Sequence, residues 1–262
     1  MTDWLALCRA AVEDVREVLA GMPAQADRQV VLRTGEGGDD TTAIDDAAET
    51  AILTRFGGLE DVTIVSEEVG IRGHGATFVV VDPIDGSLNA KRGIPFFSLS
   101  VAVADGPTMG DVQFGYVYDF GSGEEWTARR GEGAYLDGAR LGDERPKDEI
   151  EILAFEATLT SRVAEKAAAM VGIAYRLRIM GSLALSLCHL AAGRIDGVCS
   201  LKEARSVDIA AGQLLVRECG YAVDLFEDPP FENALLDLVG RSRLAAAGTP
   251  ELCRKLANAL SA

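Results

Sequence analysis

The segment 79–90 constrains the fold of this chain more than any other part of its sequence. It begins with an apolar, β-branched run that predicts a buried strand, and it continues as Asp-Pro-Ile-Asp-Gly-Ser. Pro83 fixes its own φ and has no N–H to donate, so the strand is expected to end there. Asp82 and Asp85 could then converge, with the Ile84 carbonyl between them, as the hard oxygen ligands that Mg²⁺ prefers. A strand end followed by an Asx-type turn is the alternative interpretation.

Other acidic residues stand at the ends of predicted elements. Glu67 and Glu68 follow the apolar run 62–66, Asp45 lies at the start of a predicted helix, and Asp208 opens an apolar helical pattern. Carboxylates that crowd together repel each other and raise each other's pKa values, and a divalent cation removes that cost. The pattern therefore favours a metal centre assembled from several parts of the chain.

At these residues the chain resembles the inositol monophosphatase/fructose-1,6-bisphosphatase superfamily of metal-dependent, lithium-sensitive phosphatases, and in particular its archaeal-type dual-specificity branch. The resemblance covers about 39–220, through the Asp-Pro-Ile-Asp-Gly-Ser core, the upstream Glu-Glu and the downstream Val-Asp-Ile-Ala-Ala-Gly. It implies a layered αβαβα sandwich of the sugar-phosphatase type. The pattern of predicted elements divides this fold into an α+β half at 1–145, with most metal ligands, and an α/β half at 146–262, with the last metal Asp and substrate-binding residues.

The resemblance implies two or three Mg²⁺ ions, with Mn²⁺ as a substitute. Glu67, Asp82 and the Ile84 carbonyl would hold one ion. Asp82, Asp85 and Asp208 would hold a second, so that Asp82 bridges the two. A third, weaker ion would lie near Glu67 and be held through waters.

The same resemblance assigns the catalytic residues. Asp45 and Ser87 would orient and activate the attacking water, and Glu67 belongs with them to the catalytic set. The family more often has Thr at the position of Ser87, and Ser keeps the hydroxyl group. Asp85, Gly86 and Ser87 would contact the substrate, whose phosphate the backbone amides of Gly86 and Ser87 could cradle.

The remaining substrate contacts are inferred in the second half of the chain. Leu183 belongs to a Gly-Ser-Leu loop whose backbone would meet the substrate ring. Arg178, Lys202 and Arg205 are either ligands of a second, distal phosphate or solvated surface cations. Inositol-specific relatives carry an acid at the position of Leu201, so its absence here favours a bisphosphate.

Three other features are interpreted as accessory. Glu68 is expected to support the site without ligating a metal. The segment 36–39 is expected to be a mobile loop near a water-held metal, and His74 is expected to lie in an exposed turn.

The predicted activity is Mg²⁺-dependent hydrolysis of a small phosphorylated sugar or polyol, namely fructose 1,6-bisphosphate, inositol monophosphate or both. Two alternatives remain open. One is a 3′-phosphoadenosine 5′-phosphate phosphatase of the same fold, and the other is a catalytically silent, metal-binding regulatory homologue. The complete set of acids argues against the silent homologue.

Composition excludes other classes of protein. The net charge of −16 argues against nucleic-acid binding, and the two histidines argue against a zinc site or a Ser-His-Asp triad. No apolar run approaches the roughly 20 residues that cross a bilayer, and the amino terminus lacks a basic start. Five scattered cysteines without CxxC spacing predict free thiols in a reducing cytoplasm. The family resemblance adds the expectation of a homodimer.

The acidic balance has two interpretations. Only five of the 25 basic residues are lysine, and an acidic, lysine-poor surface suits a high-salt cytoplasm in which screening relieves self-repulsion. An ordinary acidic protein from a GC-rich genome is the alternative.

Apolar periodicity predicts alternating elements without long linkers. The predicted helices cover 4–19, 45–56, 161–171, 181–192, 207–219 and 250–260. The predicted strands cover 62–66, 77–82, 98–104, 112–118, 125–129, 133–136, 151–155, 174–178, 195–199 and 243–247. Asp137-Gly138 predicts a tight hairpin turn.

Overall fold

The computed structural model describes residues 2–35, 40–143, 147–156, 159–227, 231–239 and 242–261. The prediction for 36–39 lies outside these residues. The helices in the described part are Trp4–Gly21 (α1), Gln25–Arg28 (α2), Ala43–Phe56 (α3), Ser87–Arg92 (α4), Thr160–Lys166 (α5), Leu183–Ala191 (α6), Ser206–Glu218 (α7) and Pro250–Ser261 (α8).

The strands of the same residues belong to three sheets. They are Val31–Thr34 (β1), Asp40–Thr42 (β2), Val62–Ser66 (β3), Gly70–Gly73 (β4), Thr77–Asp85 (β5), Ser98–Ala104 (β6), Val112–Asp119 (β7), Glu125–Arg129 (β8), Gly133–Leu136 (β9), Ala139–Arg140 (β10), Ile150–Glu156 (β11), Ala174–Arg178 (β12), Gly197–Ser200 (β13), Ala222–Leu225 (β14) and Leu244–Ala247 (β15).

The first large sheet has eight strands in the order β10-β9-β8-β7-β6-β5-β3-β4. Only β3 and β5 are parallel neighbours. The prediction that β5 ends at Pro83 is wrong, because the strand continues to Asp85 through an irregularity in register opposite β6. Proline cannot donate to the ladder, and a local bulge accommodates it and turns the two flanking carboxylates toward one end of the sheet.

The second large sheet has five strands in the order β12-β11-β13-β15-β14. The strand β11, next to the edge strand β12, is parallel to both β12 and β13. Parallel strands share their carboxyl ends, and Glu156 of β11 therefore stands opposite Ser200 of β13 at one end of the sheet.

Helices and sheets alternate in five layers. One apolar cluster joins α1 and α3 to the first sheet, a second surrounds α6 and α7 between the sheets, and a third joins α8 to the second sheet. Each of the two large sheets thus buries both faces, which gives the predicted αβαβα sandwich.

The central helix α7 packs very closely on its neighbours because small residues lie along it. A Cβ placed on Gly212 would lie 2.8 Å from the Cβ of Leu187 in α6. On the sheet side, a Cβ on Gly115 of β7 would lie 2.9 Å from the carbonyl oxygen of Ala211. Both distances are shorter than van der Waals contact, so glycine sets the spacing of these layers.

Two smaller predictions are also confirmed. Asp137 and Gly138 both have positive φ in the turn between β9 and β10, and His74 is exposed. All five cysteines are free thiols, four of them buried. No helix in the described part of the chain combines the length and apolar character needed to span a membrane.

Candidate active site

A cavity of about 380 Å³ opens where the ends of β3, β5, β11 and β13 meet the first turns of α3, α4 and α7. Its polar wall is strongly acidic, with eight carboxylates and three basic side chains. The carboxylates are Asp40, Asp45, Glu67, Glu68, Asp82, Asp85, Glu156 and Asp208, and the basic residues are Lys91, Lys202 and Arg205. The structure therefore brings together every acid that the sequence predicted for the site.

Asp82 and Asp85 are fixed by neighbouring donors. Asp82 Oδ1 accepts the backbone N–H of Ile84 at 3.0 Å. Asp85 Oδ2 accepts the hydroxyl of Ser182 and, at 2.9 Å, the backbone N–H of Ala184 at the start of α6. Burial raises the pKa of both carboxyls, and repulsion between neighbouring acids adds to the effect, so the pKa of Asp85 reaches about 7.

Arg205 lies between Glu67 and Asp208. Its Nη2 is 2.8 Å from Glu67 Oε1 and 3.1 Å from Asp208 Oδ1, and its backbone N–H donates to Asp208 Oδ2 at 2.9 Å. Burial raises the pKa of Glu67 to about 7 although the guanidinium acts in the opposite direction. Burial alone would lower the pKa of Arg205, and the carboxylates of Asp208 and Glu67 more than reverse this.

The donor set suits a divalent cation, although its present arrangement does not enclose one. Within the described residues, no group of three or more His, Cys, Asp or Glu side chains is placed to hold a metal ion. The chemistry of the donors nevertheless fits, because the ligands are hard oxygens and their charges lie buried with too few cations. Glu67, Asp82, Asp85 and Asp208, with the Ile84 carbonyl, are the groups that could hold Mg²⁺ after local side-chain movement.

Among the described residues, only one of the two carboxylate oxygens of Asp45 has hydrogen-bond or ion-pair partners. Its Oδ2 accepts the backbone N–H and the hydroxyl of Thr42 at 3.0 and 2.7 Å, as in a capping box, and lies 2.9 Å from Lys91 Nζ. Its Oδ1 is buried and has no hydrogen-bond partner among the described residues. This oxygen is therefore an unused acceptor of a residue that lines the cavity.

Ser87 and Glu68 have partners of their own. The Ser87 hydroxyl donates to the Ile84 carbonyl at 3.0 Å, and no hydrogen bond between described residues joins it to Asp45. Glu68 accepts the hydroxyl of Thr41 and lines the cavity, and burial raises its pKa. Asp45 and Ser87 thus line one cavity without direct contact.

Gly86 must be glycine for two reasons. Its φ of +93° is in the left-handed region, and a Cβ there would lie 3.1 Å from the Phe96 carbonyl oxygen and 3.2 Å from that of Gly181. The backbone that leaves Asp85 can therefore turn sharply into α4 and lie close to the opposite wall.

The segment 180–184 is bonded to both large sheets. Glu156 accepts the N–H groups of Met180 and Gly181 at 3.3 and 2.8 Å, and Asn89 Nδ2 donates to the Met180 carbonyl at 2.7 Å. The sequence prediction missed Glu156. It carries the signal that identified Glu67 and Asp82, namely an acid at the end of an apolar strand.

Three of the four residues predicted to contact the distal part of the substrate line the cavity, and one does not. Leu183, Lys202 and Arg205 line the cavity, whereas Arg178 is not among its lining residues. Arg178 is exposed at the end of the edge strand β12, and its Nη1 donates to the Leu177 carbonyl at 2.9 Å. Leu201 is buried in the third apolar cluster and is not among the residues that line the cavity.

Known proteins resemble the whole chain. The model of the inositol monophosphatase family matches residues 3–261. A fructose-1,6-bisphosphatase/inositol-1-monophosphatase of Methanothermobacter thermautotrophicus is 32% identical over 273 residues, which cover 98% of this chain and 96% of that protein. A protein of the same name from Archaeoglobus fulgidus is 33% identical over 248 residues, with coverage of 94% and 93%.

A solved structure agrees with these sequence matches. The crystal structure of an inositol monophosphatase–fructose 1,6-bisphosphatase superposes with a TM-score of 0.86 at 26% identity, over 98% of this chain and all of that one. Sequence and fold thus agree along almost the full length, and the chain belongs to the inositol monophosphatase family.

Proposed function

We propose that this protein is a Mg²⁺-dependent phosphatase that hydrolyses fructose 1,6-bisphosphate, inositol 1-phosphate or both. The observation that carries the proposal is the convergence of Asp45, Glu67, Asp82, Asp85 and Asp208 on one cavity of about 380 Å³. A cavity with this excess of negative charge would repel a phosphate ester unless cations were bound. The names of the archaeal relatives support both substrates.

Bound Mg²⁺ would neutralise phosphate oxygens, lower the pKa of water and stabilise the leaving alkoxide. Glu67, Asp82, Asp85, Asp208 and the Ile84 carbonyl are the groups that would hold it. Glu67, Asp85 and Asp208 all repel the buried carboxylate of Asp82, which supports its place among the groups that would hold the metal.

The chain supplies the remaining functions itself. The unpartnered Oδ1 of Asp45 would accept a hydrogen bond from the attacking water, while Lys91 and Thr42 hold Oδ2. The hydroxyl of Ser87 would turn from the Ile84 carbonyl toward the same water. The amides that follow Gly86 would face the phosphate, and Lys202 at the exposed side would attract a second anionic group.

Phosphate release from a panel of esters tests this function. The panel contains fructose 1,6-bisphosphate, inositol 1-phosphate and 3′-phosphoadenosine 5′-phosphate, each with Mg²⁺ or with EDTA. We expect release from either or both of the first two, and only with Mg²⁺. Preference for the nucleotide would indicate the alternative phosphatase, and no release from any ester would indicate a silent homologue.

Asp82→Asn provides the matching test of the site. Loss of its charge is expected to lower kcat by about 10³ or more, because Asp82 would be one of the groups that hold Mg²⁺. Asp14→Asn is the matched control, since Asp14 pairs with Arg55 on the outer helices α1 and α3. Retention of more than about a tenth of kcat at saturating Mg²⁺ would contradict the place of Asp82 in the metal site.

Localisation and assembly complete the proposal. Free thiols at all five cysteines support a reducing cytoplasm. Val171, Tyr175 and Ile179 are exposed on or beside the edge strand β12, which supports a homodimer formed at that edge. Sedimentation equilibrium would measure the mass.

A further inference from the structure

Arg205 is a buried cation among the proposed metal ligands. The residue is 9% exposed, and its guanidinium contacts Glu67 and Asp208 from two different parts of the fold. Among the ion pairs of the described residues, Arg205 is the cation that contacts this group of acids, since Lys91 pairs with Asp45 instead.

The position of this guanidinium has an electrostatic cause. Buried carboxylates are costly without a compensating charge, and removal of one partner from a buried ion pair leaves the other uncompensated. Burial and mutual repulsion raise the pKa values of Glu67 and Asp82, so the cluster favours any cation that enters it. Arg205 supplies such a cation from within the chain, at the residue that precedes α7.

We propose that Arg205 is an internal counter-cation that competes with the divalent metal for the carboxylates of Glu67 and Asp208. The inference rests on the proposed metal-dependent function. Glu67 Oε1 lies 2.8 Å from Arg205 Nη2, so its lone pairs accept the N–H of the guanidinium. The positive charge of the guanidinium repels a metal ion that approaches the same oxygen. The metal therefore binds the conformers in which the guanidinium has left Glu67.

Competition of this kind has a measurable size. When a ligand binds only a fraction of the conformers, its apparent dissociation constant rises in inverse proportion to that fraction. If Arg205 leaves Glu67 in about one molecule in ten, its removal should tighten metal binding about tenfold. By reciprocity, metal binding should weaken the hold of the acids on Arg205 to the same extent.

The experiment measures Mn²⁺ binding by isothermal titration calorimetry and thermal unfolding with EDTA or with Mn²⁺. The variants are Arg205→Gln, which removes the charge, and Arg205→Lys, which keeps a charge but loses the planar fork. Arg176→Gln is the matched control, because Arg176 forms an exposed pair with Glu151 on the surface of the second sheet.

Arg205→Gln should melt at a lower temperature than the native chain in EDTA, bind Mn²⁺ about tenfold more tightly and gain more stability from it. Arg205→Lys should also bind Mn²⁺ more tightly than the native chain, and it carries the test if Arg205→Gln fails to fold. Arg176→Gln should match the native chain.

Two other results would overturn the inference in distinguishable ways. Equal or weaker Mn²⁺ binding in both Arg205 variants, with normal binding in the native chain, would show that the guanidinium does not compete. An absence of binding heat and of Mn²⁺-induced stabilisation in every protein would instead refute the proposed metal site, and the competition with it.

Discussion

Lys202 and Arg178 carry the same charge in different surroundings. Lys202 lines the acidic cavity, and Arg178 is exposed at the end of β12. A second phosphate on the substrate would need a cation within the cavity, because charge-assisted hydrogen bonds require direct contact. The location of each residue therefore predicts which one distinguishes a bisphosphate from a monophosphate.

Lys202→Gln should raise KM for fructose 1,6-bisphosphate roughly tenfold, the size expected for loss of one charged hydrogen bond. KM for inositol 1-phosphate should change much less, since that ester has no second phosphate. Arg178→Gln is the matched control and should leave both KM values near those of the native chain. Initial-rate kinetics on both substrates measure this, and equal losses for both would place Lys202 at the scissile phosphate.

Glu49 is a buried acid behind the active site. It belongs to α3, its Oε2 accepts the Ser66 hydroxyl at 2.7 Å, and its Oε1 has no partner among the described residues. Burial raises its pKa from 4.5 to about 7. A group whose pKa rises on folding contributes stability that is complete below its unfolded pKa and is lost as the pH rises through its folded pKa.

Glu49→Gln should therefore gain stability relative to the native chain as the pH rises from about 4.5 to about 7, with little further change above that. The neutral amide avoids the buried charge, and the gain should reach about 3 kcal/mol at pH 8. Denaturant unfolding in EDTA across this range measures the difference. Glu251→Gln, at an exposed position of α8, should give a difference that is independent of pH. Parallel curves for Glu49→Gln would contradict the prediction.

Some residues of the site could be predicted from the sequence, and others could not. Glu67 and Asp82 were predicted because each stands at the end of an apolar run, where a buried acid is costly without a compensating charge. Asp208 was predicted because it stands at the start of an apolar helical pattern. The inward position of Arg205 was not predicted, since its pairing with Glu67 joins residues far apart in the chain. The sequence left Arg205 as either a ligand of a distal phosphate or a solvated surface cation, and the structure places it against Glu67 and Asp208.

The segment 180–184 is an element whose position depends on both sheets. Glu156 accepts the N–H groups of Met180 and Gly181 from the second sheet, while Asp85 of the first sheet accepts donors from Ser182 and Ala184. The segment therefore fixes Asp85 relative to the opposite wall. Its displacement should alter catalysis without removal of any catalytic group.

Glu156→Gln should lower kcat/KM roughly tenfold, because an amide nitrogen would meet donors where the carboxylate now accepts. The KM and kcat values should both change, and the pH profile should keep its shape if Glu156 only positions the segment. Glu151→Gln, an exposed residue of the same strand, is the control. Unchanged kinetics in Glu156→Gln would show that the segment is held by Asn89 and Asp85 alone.

At the scale of elements, the strands β3, β6 and β12 have the predicted bounds, because each is a continuous run of strand-forming residues between turn signals. The strand β1 was not predicted, and the reason is physical. All four of its residues are exposed, so it lacks the alternation that burial of one face imposes. The helix α4 is six residues long, which is too short for a helical period to emerge.

The molecule as a whole carries a net charge of −16. The excess negative side chains repel one another in the folded state, and salt screens that repulsion. The thermal midpoint should therefore rise steeply from dilute buffer to molar KCl. Differential scanning calorimetry at several salt concentrations measures this, and a flat profile would refute adaptation to high salt.

The layer order of the sandwich was predicted from the family resemblance, because periodicity alone does not specify how layers stack.

The close approach of α7 to its neighbours changes how its sequence should be interpreted. Gly212 is small because α6 leaves no space for a larger side chain, and Gly115 of β7 is small because the backbone of Ala211 lies against it. In the Val-Asp-Ile-Ala-Ala-Gly pattern, Asp208 thus belongs to the proposed active site, whereas the small residues allow the layers to pack closely. A descendant that lost the acid would still need the small residues to fold. Genome searches with this pattern should accordingly retrieve the scaffold, and the acid must be checked separately before any retrieved protein is regarded as an enzyme.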